Sequence, residues 1–293
     1  MLPGLRLALL AFALFSSAAS AQNDVATQVV DVQAGTPRAP VGVRYLLVTP
    51  RGLTTSDAVM LFAGGNGFLD LTQDGFIGTN LAGNFLVRSR FEFAGKGLAV
   101  AVIDTPNRQL LDGNVRLSAD YALTMTKVIQ DVRTRTQAAR VWVVGTSTGT
   151  MSAANIAARY PIQTPSTFPP PPPNLNAERP NGVILTSSQN TRTQVCGKIV
   201  QDATLSAINV PTYVVAHQYD GCDCSPASVT PQIVAMLTGT AKKASKLFTG
   251  GSTPQSTPCN AYSPHGFFGI EPAVVSDIAA WMASTIPPRR PGL

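Results

Sequence analysis

Short runs of aliphatic and β-branched residues recur along the chain, and longer segments with a helical spacing of apolar positions separate them. Several of the short runs are continuously apolar rather than alternating, which is typical of strands that are buried on both faces of a parallel sheet. The predicted strands lie at 43–48, 59–63, 98–103, 141–144, 183–185 and 212–216, with a weaker one at 246–248.

Four segments between these runs have the apolar spacing or the end signals of α-helices. The first begins at Ser118, a residue suited to an N-cap, and carries an apolar stripe from Ala122 to Val132. The last two begin with proline, which suits a first helical turn. The alternation of strands and helices predicts an α/β fold with a mostly parallel central sheet and helices on both faces. The predicted helices lie at 118–136, 148–159, 226–237 and 272–284.

Residues 1–21 differ from the rest of the chain. Arg6 precedes a short apolar run, and small residues follow up to Ala19-Ser20-Ala21. This pattern predicts a secretory signal peptide that is cleaved after Ala21, and hence a secreted or periplasmic protein. The alternative is an uncleaved membrane anchor, but the apolar run is shorter than the ~20 residues that a span needs. We therefore expect no membrane span after cleavage.

Two further segments fall outside the strand and helix pattern. Segment 22–42 is polar and poorly periodic, and we expect it to be an exposed N-terminal segment before a single domain at 43–293. A proline-rich insertion at 161–181 contains five consecutive prolines at 169–173. Because proline continues neither a helix nor a central strand, the insertion predicts a stiff surface excursion. A recognition motif for a proline-binding partner is the alternative.

Composition and charge narrow the functional classes. The chain has 293 residues, of which 44% are hydrophobic and 13% are charged, and this length suffices for one sizeable core. The formal net charge is +6, but the basic residues are scattered. The two tight groups, Lys242-Lys243 and Arg289-Arg290, are not interleaved with aromatic residues. Nucleic-acid binding is therefore not supported.

The four cysteines all lie in the C-terminal half, and export makes disulfides plausible. Cys222 and Cys224 are separated by one residue, where direct pairing is geometrically awkward. We expect one of them to pair with Cys259 and the other with Cys196. The alternative is a zinc site, which the C-x-C spacing disfavours.

The strongest functional signal is a G-x-S-x-G motif at 145–149, in which Ser147 is the serine. A predicted strand leads directly into the motif, and an alanine-rich predicted helix follows it. In a nucleophile elbow the serine occupies a tight, strained turn, and the flanking glycines remove side chains that would clash there. The N–H groups at the start of the helix can stabilise a developing oxyanion. The alternative is a Ser/Thr/Gly turn without chemistry.

With the strand before it and the helix after it, this motif resembles the α/β-hydrolase superfamily, and the resemblance extends over roughly residues 43–286. It implies an oxyanion loop after an early strand, where the chain has a glycine-rich run at 64–67. The N–H groups of Gly65 and Thr148 are the implied oxyanion donors. Ala63 stands where many members have histidine, so a hydrogen bond that supports the loop in those members is expected to be missing.

The resemblance also implies an acid after a late strand and a histidine after the last strand. Asp220 fits the acid, and Asp223, three residues further on, is the alternative. His265 precedes the last predicted helix, so the order Ser147, Asp220, His265 matches that of the superfamily. The second histidine, His217, is expected to be a structural hydrogen-bonding residue near the site.

The function implied by the resemblance is acyl transfer, with Ser147 as nucleophile, His265 as base and no metal or organic cofactor. A carboxylesterase- or lipase-like activity on a small-molecule ester is the first interpretation. A serine peptidase and a non-catalytic binding protein on the same fold are the alternatives. The insertion at 161–181 is short for a helical lid, which implies an open site. A bridge from Cys259 to a cysteine near Asp220 would hold the acid and the base in register.

Overall fold

A computed structural model of the chain describes residues 24–36, 39–53, 55–159 and 177–285. The predicted signal peptide at 1–21 and most of the insertion at 161–181 lie outside these residues. Among the described helices, none combines the length and the hydropathy that crossing a membrane requires.

The described chain forms an eight-stranded sheet that confirms the predicted α/β fold. Its strands are β1 (Val25–Thr36), β2 (Ala39–Pro50), β3 (Asp57–Phe62), β4 (Ala99–Ile103), β5 (Arg140–Thr146), β6 (Gly182–Thr186), β7 (Thr212–His217) and β8 (Lys243–Phe248). They lie in the order β1-β2-β4-β3-β5-β6-β7-β8. The β1–β2 and β2–β4 pairs are antiparallel, and the other five pairs are parallel.

All seven predicted strands are confirmed, and they fall on β2 to β8. Every residue of β3, β4, β6 and β7 is buried, which explains why these strands are continuously apolar or nearly so in the sequence. The edge strand β8 has no fully buried residue, which explains its weaker pattern.

The prediction for segment 22–42 was wrong in its described part. Residues Val25–Thr36 form β1, which pairs with β2 along its whole length, from Val25 opposite Pro50 to Thr36 opposite Ala39. Among the side chains that the structure describes in this edge strand, Val25, Val30 and Ala34 are the buried ones, and the positions between them are largely polar and exposed. A strand with one solvated face and one free edge therefore carries too few apolar residues to be recognised by its pattern.

Eight α-helices are described. The four predicted ones are confirmed as α5 to α8, and Ser118 caps α5 by accepting a hydrogen bond from the Tyr121 N–H (3.1 Å). Segment 226–237 divides into a short 3₁₀ turn followed by α7. The four unpredicted helices have only four to six residues, too few for a periodic pattern. The helices are α1 (Thr79–Ala82), α2 (Phe85–Arg88), α3 (Arg90–Gly95), α4 (Gly113–Arg116), α5 (Ala119–Thr136), α6 (Gly149–Ala158), α7 (Thr230–Met236) and α8 (Glu271–Ser284).

Helices cover both faces of the sheet and form two hydrophobic cores. One core contains Val128 of α5 and Ile156 of α6. The other contains Phe93 of α3 and Ile278 of α8. With both faces covered, the loops at the carboxyl ends of the parallel strands are where a fold of this type places its ligands.

Candidate active site

Ser147 occupies the tight turn between β5 and α6. It adopts a left-handed backbone with φ of 54°, a sparsely populated conformation for a residue other than glycine. The neighbouring glycines make this turn possible. A Cβ on Gly145 would lie 2.3 Å from the carbonyl oxygen of Gly149, and a Cβ on Gly149 would lie 2.2 Å from the carbonyl oxygen of Phe62. The Ser147 N–H donates to the Thr186 carbonyl (3.1 Å), which ties the turn to β6.

An aspartate–histidine pair lies at the ends of two loops. His265, in the short 3₁₀ turn Pro264–Gly266, has its Nδ1 2.8 Å from Oδ2 of Asp220, which lies three residues after the end of β7. The Asp220 side chain is fully buried, and its Oδ1 accepts a hydrogen bond from the Cys222 N–H (2.9 Å). The alternative acid, Asp223, is exposed to solvent. The structure therefore places Asp220 rather than Asp223 against the histidine.

Ser147 and His265 line the same cavity, which has a volume of about 270 Å³. Gly64 and Gly65 form part of its wall. The structure thus brings together the predicted nucleophile, the predicted base with its acid, and the predicted oxyanion loop.

The glycine-rich loop after β3 lies directly beside the nucleophile. A Cβ on Gly64 would be 3.0 Å from the Cβ of Ser147, so a larger residue would crowd the serine. Gly65 has a left-handed backbone, with φ of 58°, and its carbonyl accepts a hydrogen bond from Thr148 Oγ1 (2.7 Å). Neither the Gly65 nor the Thr148 N–H donates to another described residue. Both N–H groups are thus available as oxyanion donors.

The arrangement is similar to that of several solved structures. A cold-adapted esterase from an Arctic intertidal metagenomic library is 13% identical, with a TM-score of 0.54 over 88% of this chain and 94% of its own. A serine hydrolase without a lid from Xanthomonas campestris is 12% identical, with a TM-score of 0.54 over 90% and 97%. A dienelactone hydrolase from Anabaena variabilis is 18% identical, with a TM-score of 0.51 over 89% and 99%. The chain has the α/β-hydrolase fold.

No protein-family model and no curated protein matches the chain. The α/β-hydrolase fold of this chain is therefore evident from the course of the backbone rather than from overall sequence similarity.

A buried arginine of α4 supports the glycine-rich loop after β3, and sequence reasoning missed it. Arg116 is 1% exposed. Its guanidinium donates to the carbonyls of Ala63 (3.2 Å) and Gly65 (3.1 Å) and to Ser152 Oγ on α6 (2.8 Å). Burial lowers the pKa of this guanidinium from its usual value, although an arginine stays protonated at any ordinary pH. Arg116 thus joins the loop to the helix that follows the nucleophile.

No sequence signal distinguishes Arg116, because it lies in a helix of only four residues. The structure also shows how the loop is supported without a histidine at position 63. The Ala63 side chain is buried and apolar, and its backbone carbonyl accepts the hydrogen bond from Arg116.

His217 has the surroundings of a structural histidine. Its ring is buried at the end of β7, and its Nδ1 accepts a hydrogen bond from the Tyr219 N–H (3.1 Å). This contact leaves Nε2 protonated, so that it donates to the carbonyl of Gly250 (2.9 Å). Since both ring nitrogens have partners within the protein, His217 helps to fix the segment that leads towards His265.

The cysteines form two disulfides, Cys196–Cys224 and Cys222–Cys259, which confirms the predicted pairing and settles which cysteine pairs with which. The sulfur atoms of Cys222, Cys224 and Cys259 lie within 4.8 Å of one another. Because these sulfurs are bonded in disulfides, they are not the thiolates that a metal ion would require. The second bridge joins the loop of Asp220 to the segment that carries His265.

Proposed function

We propose that this protein is a serine hydrolase that cleaves carboxylic esters through an acyl-enzyme intermediate. The observation that carries the proposal is the buried Asp220–His265 pair, whose histidine shares a cavity with a serine in a strained turn. A turn without chemistry would need neither a strained serine backbone nor a fully buried carboxylate beside an imidazole.

In this mechanism, Asp220 sets the tautomer of His265. Nδ1–H donates to the carboxylate, so Nε2 has a lone pair that can accept the proton of Ser147 Oγ. The serine oxygen then bonds to the ester carbonyl carbon, and the carbonyl oxygen becomes an oxyanion between the N–H groups of Gly65 and Thr148. As the intermediate collapses, the C–O bond to the alcohol breaks and His265 protonates the departing oxygen. Water then attacks the acyl-enzyme in the same way and frees the serine.

The size of the cavity supports a small ester as substrate. Its volume of about 270 Å³ lies just below the ~300–1,000 Å³ that is common for ligand sites. Two of the similar solved structures are named an esterase and a serine hydrolase without a lid, and a carboxylesterase-like activity fits both.

The two disulfides support export of the protein to the periplasm or the medium. Structural disulfides persist in oxidising compartments and are rare in the cytosol. The signal peptide predicted at 1–21 belongs to the same proposal. Cell fractionation of the expressing organism tests it, and recovery of the protein in the cytosolic fraction would contradict it.

Labelling with a fluorophosphonate probe tests the hydrolase proposal. We expect the wild type to be labelled and Ser147→Ala and His265→Ala not to be. Ser206→Ala, at an exposed serine that does not line the cavity, is the matched control and should be labelled like the wild type. A folded wild type that is not labelled would refute the proposal and favour a binding protein. Cleavage of peptides in preference to esters would favour a peptidase.

A further inference from the structure

The cavity that contains Ser147 is lined by several asparagines, beside apolar residues such as Leu81 and Phe85. The asparagines are at positions 66, 80, 84 and 260. Among the described residues that line this cavity, His265 is the one ionisable side chain, because Cys259 is in a disulfide. A wall of neutral amides binds uncharged groups that donate and accept hydrogen bonds, and it offers little to a long alkyl chain.

Hydrogen bonds fix the orientation of two of these amides. Asn84 caps α2 with its Oδ1, which accepts from the Leu86 N–H (3.2 Å). Asn66 Oδ1 likewise accepts from the Phe68 N–H (3.1 Å). An N–H group can donate only to the oxygen end of an amide, so the nitrogen end of each side chain is the one left for other partners. Neither Nδ2 group has a hydrogen-bond partner among the described residues.

The Asn84 nitrogen lies next to the nucleophile. A Cβ on Gly64 would be 3.4 Å from Asn84 Nδ2 and 3.0 Å from the Cβ of Ser147, so both groups border the same small volume. Asn84 is only partly buried, and its nitrogen is therefore within reach of a molecule in the cavity.

The proposed mechanism requires the leaving alcohol to lie beside His265. His265 must protonate the departing oxygen, and His265 lines this cavity. A second cavity, of about 600 Å³, shares Gly65 with the first and includes Thr148. Its lining combines apolar residues such as Met151 with charged residues such as Arg192 and Lys198. Neither Ser147 nor His265 lines the second cavity.

We propose that the natural substrates are esters of polyhydroxylated, uncharged alcohols such as sugars, and that Asn84 determines this specificity by donating a hydrogen bond from Nδ2 to an oxygen of the alcohol. The proposal rests on the hydrolase function proposed above and adds the class of its substrate.

A matched pair of acetates tests the substrate class. An acetylated methyl glucoside and cyclohexylmethyl acetate have the same acyl group and alcohols of similar shape, but only the first carries hydroxyl groups. We expect kcat/KM to be about 10-fold or more higher for the glucoside ester, because a site that hydrogen-bonds hydroxyl groups rejects an analogue without them. Equal rates, a preference for the cyclohexyl ester, or no cleavage of either by protein that the fluorophosphonate probe labels would each overturn the substrate class and leave the hydrolase proposal standing. A failure to label would refute both.

Two variants at position 84 separate the role in the site from the role in the helix. Asn84→Ser and Asn84→Asp both keep an oxygen that can cap α2 but lose the Nδ2 donor. We expect each to lower the glucoside-to-cyclohexyl ratio of kcat/KM by about 10-fold, the effect of one lost hydrogen bond to a partner that is left unpaired. Asn107→Asp is the control, since Asn107 Oδ1 also accepts from a backbone N–H, that of Gly42 (2.8 Å), and does not line the cavity. The control should retain the wild-type ratio. An unchanged ratio in folded Asn84→Ser would overturn the role of Asn84.

Discussion

The candidate site is held together by different means on its two sides. On the nucleophile side, Ser147 and the glycine loop lie at the ends of β5 and β3, whose residues are all buried except Arg140. The backbones there are so close that no side chain fits between them. On the acid–base side, Asp220 and His265 lie on loops, and most of the segment before the histidine, from position 249 to position 262, is exposed. A disulfide and a few hydrogen bonds replace close packing there.

A buried aspartate–histidine pair can thus be positioned although both residues lie in loops or short turns. Ser263 shows how, because its single O–H proton lies between the carbonyl oxygens of Pro258 (2.7 Å) and Asn260 (2.8 Å) and its Oγ accepts from the His265 N–H (3.2 Å). A substitution on the nucleophile side should therefore destabilise the fold. A substitution on the acid–base side should instead misalign or neutralise the pair in a protein that still folds.

The largest expected effect is on the acid–base side. Asp220→Asn should lower kcat by about 10⁴-fold, because both carboxylate oxygens accept hydrogen bonds and an amide can satisfy only one of the two donors correctly. Ester hydrolysis by folded protein measures the effect. Asp223→Asn, at the exposed neighbour, should retain wild-type kcat. The reverse pattern would assign the acid to Asp223.

A glycine substitution tests the nucleophile side. Gly149→Ala should destabilise the protein by at least about 3 kcal/mol, because the new Cβ would lie 2.2 Å from the Phe62 carbonyl oxygen and neither backbone can move cheaply. Thermal or denaturant unfolding measures it. Gly95→Ala is the matched control, since its Cβ would meet nothing within 4 Å, and it should be neutral or slightly stabilising. Equal stability of the two variants would show that the elbow tolerates a side chain.

The same contrast explains what could be predicted from the sequence. The elbow could be predicted from the sequence because its strand is buried, its glycines are sterically required and all its residues are adjacent in the chain. His265 and Asp220 could be named as candidates because the chain has only two histidines and the order of the three residues follows a known pattern. Their hydrogen bond connects residues 45 positions apart, and it depends on the course of two irregular loops.

Other features of the structure have no recognisable pattern in the amino-acid sequence. Strand β1 is half solvated, and the helices from α1 to α4 are too short for a period. Arg116 contacts the carbonyl of Gly65, and Asn84 lines the cavity that contains Ser147. Both contacts exist only in the folded chain. Isolated polar residues of this kind have no neighbours in the sequence that indicate their role.

The two disulfides allow a direct test of alignment. They close loops of similar length, with sequence separations of 28 and 37 residues, so removing either should cost a similar amount of stability, about 2–4 kcal/mol. Removing Cys222–Cys259 by double substitution to serine should also lower kcat several-fold, because this bridge joins the acid loop to the histidine segment. Removing Cys196–Cys224 should affect stability far more than kcat. Equal effects on kcat would mean that both disulfides only stabilise the fold and that neither aligns the site.

The last prediction concerns the support of the glycine-rich loop. Arg116→Lys keeps the buried charge but loses the planar fork that reaches Ala63, Gly65 and Ser152 together, so the loop should be less firmly placed. We expect kcat and the rate of fluorophosphonate labelling to fall together by about 10-fold, with a smaller change in KM, since oxyanion donors act mainly in the transition state.

Arg133→Lys is the matched control for Arg116→Lys. Arg133 also donates to several backbone carbonyls, including those of Ala139 (2.7 Å) and Arg179 (2.8 Å), but it lines neither cavity beside the oxyanion loop. Burial lowers the pKa of both guanidinium groups, and Arg116 is the more deeply buried of the two. The control should lose stability without losing kcat. If Arg116→Lys lost only stability as well, Arg116 would be a structural arginine, and the position of the Gly65 N–H would be set by the turn and by Thr148 alone.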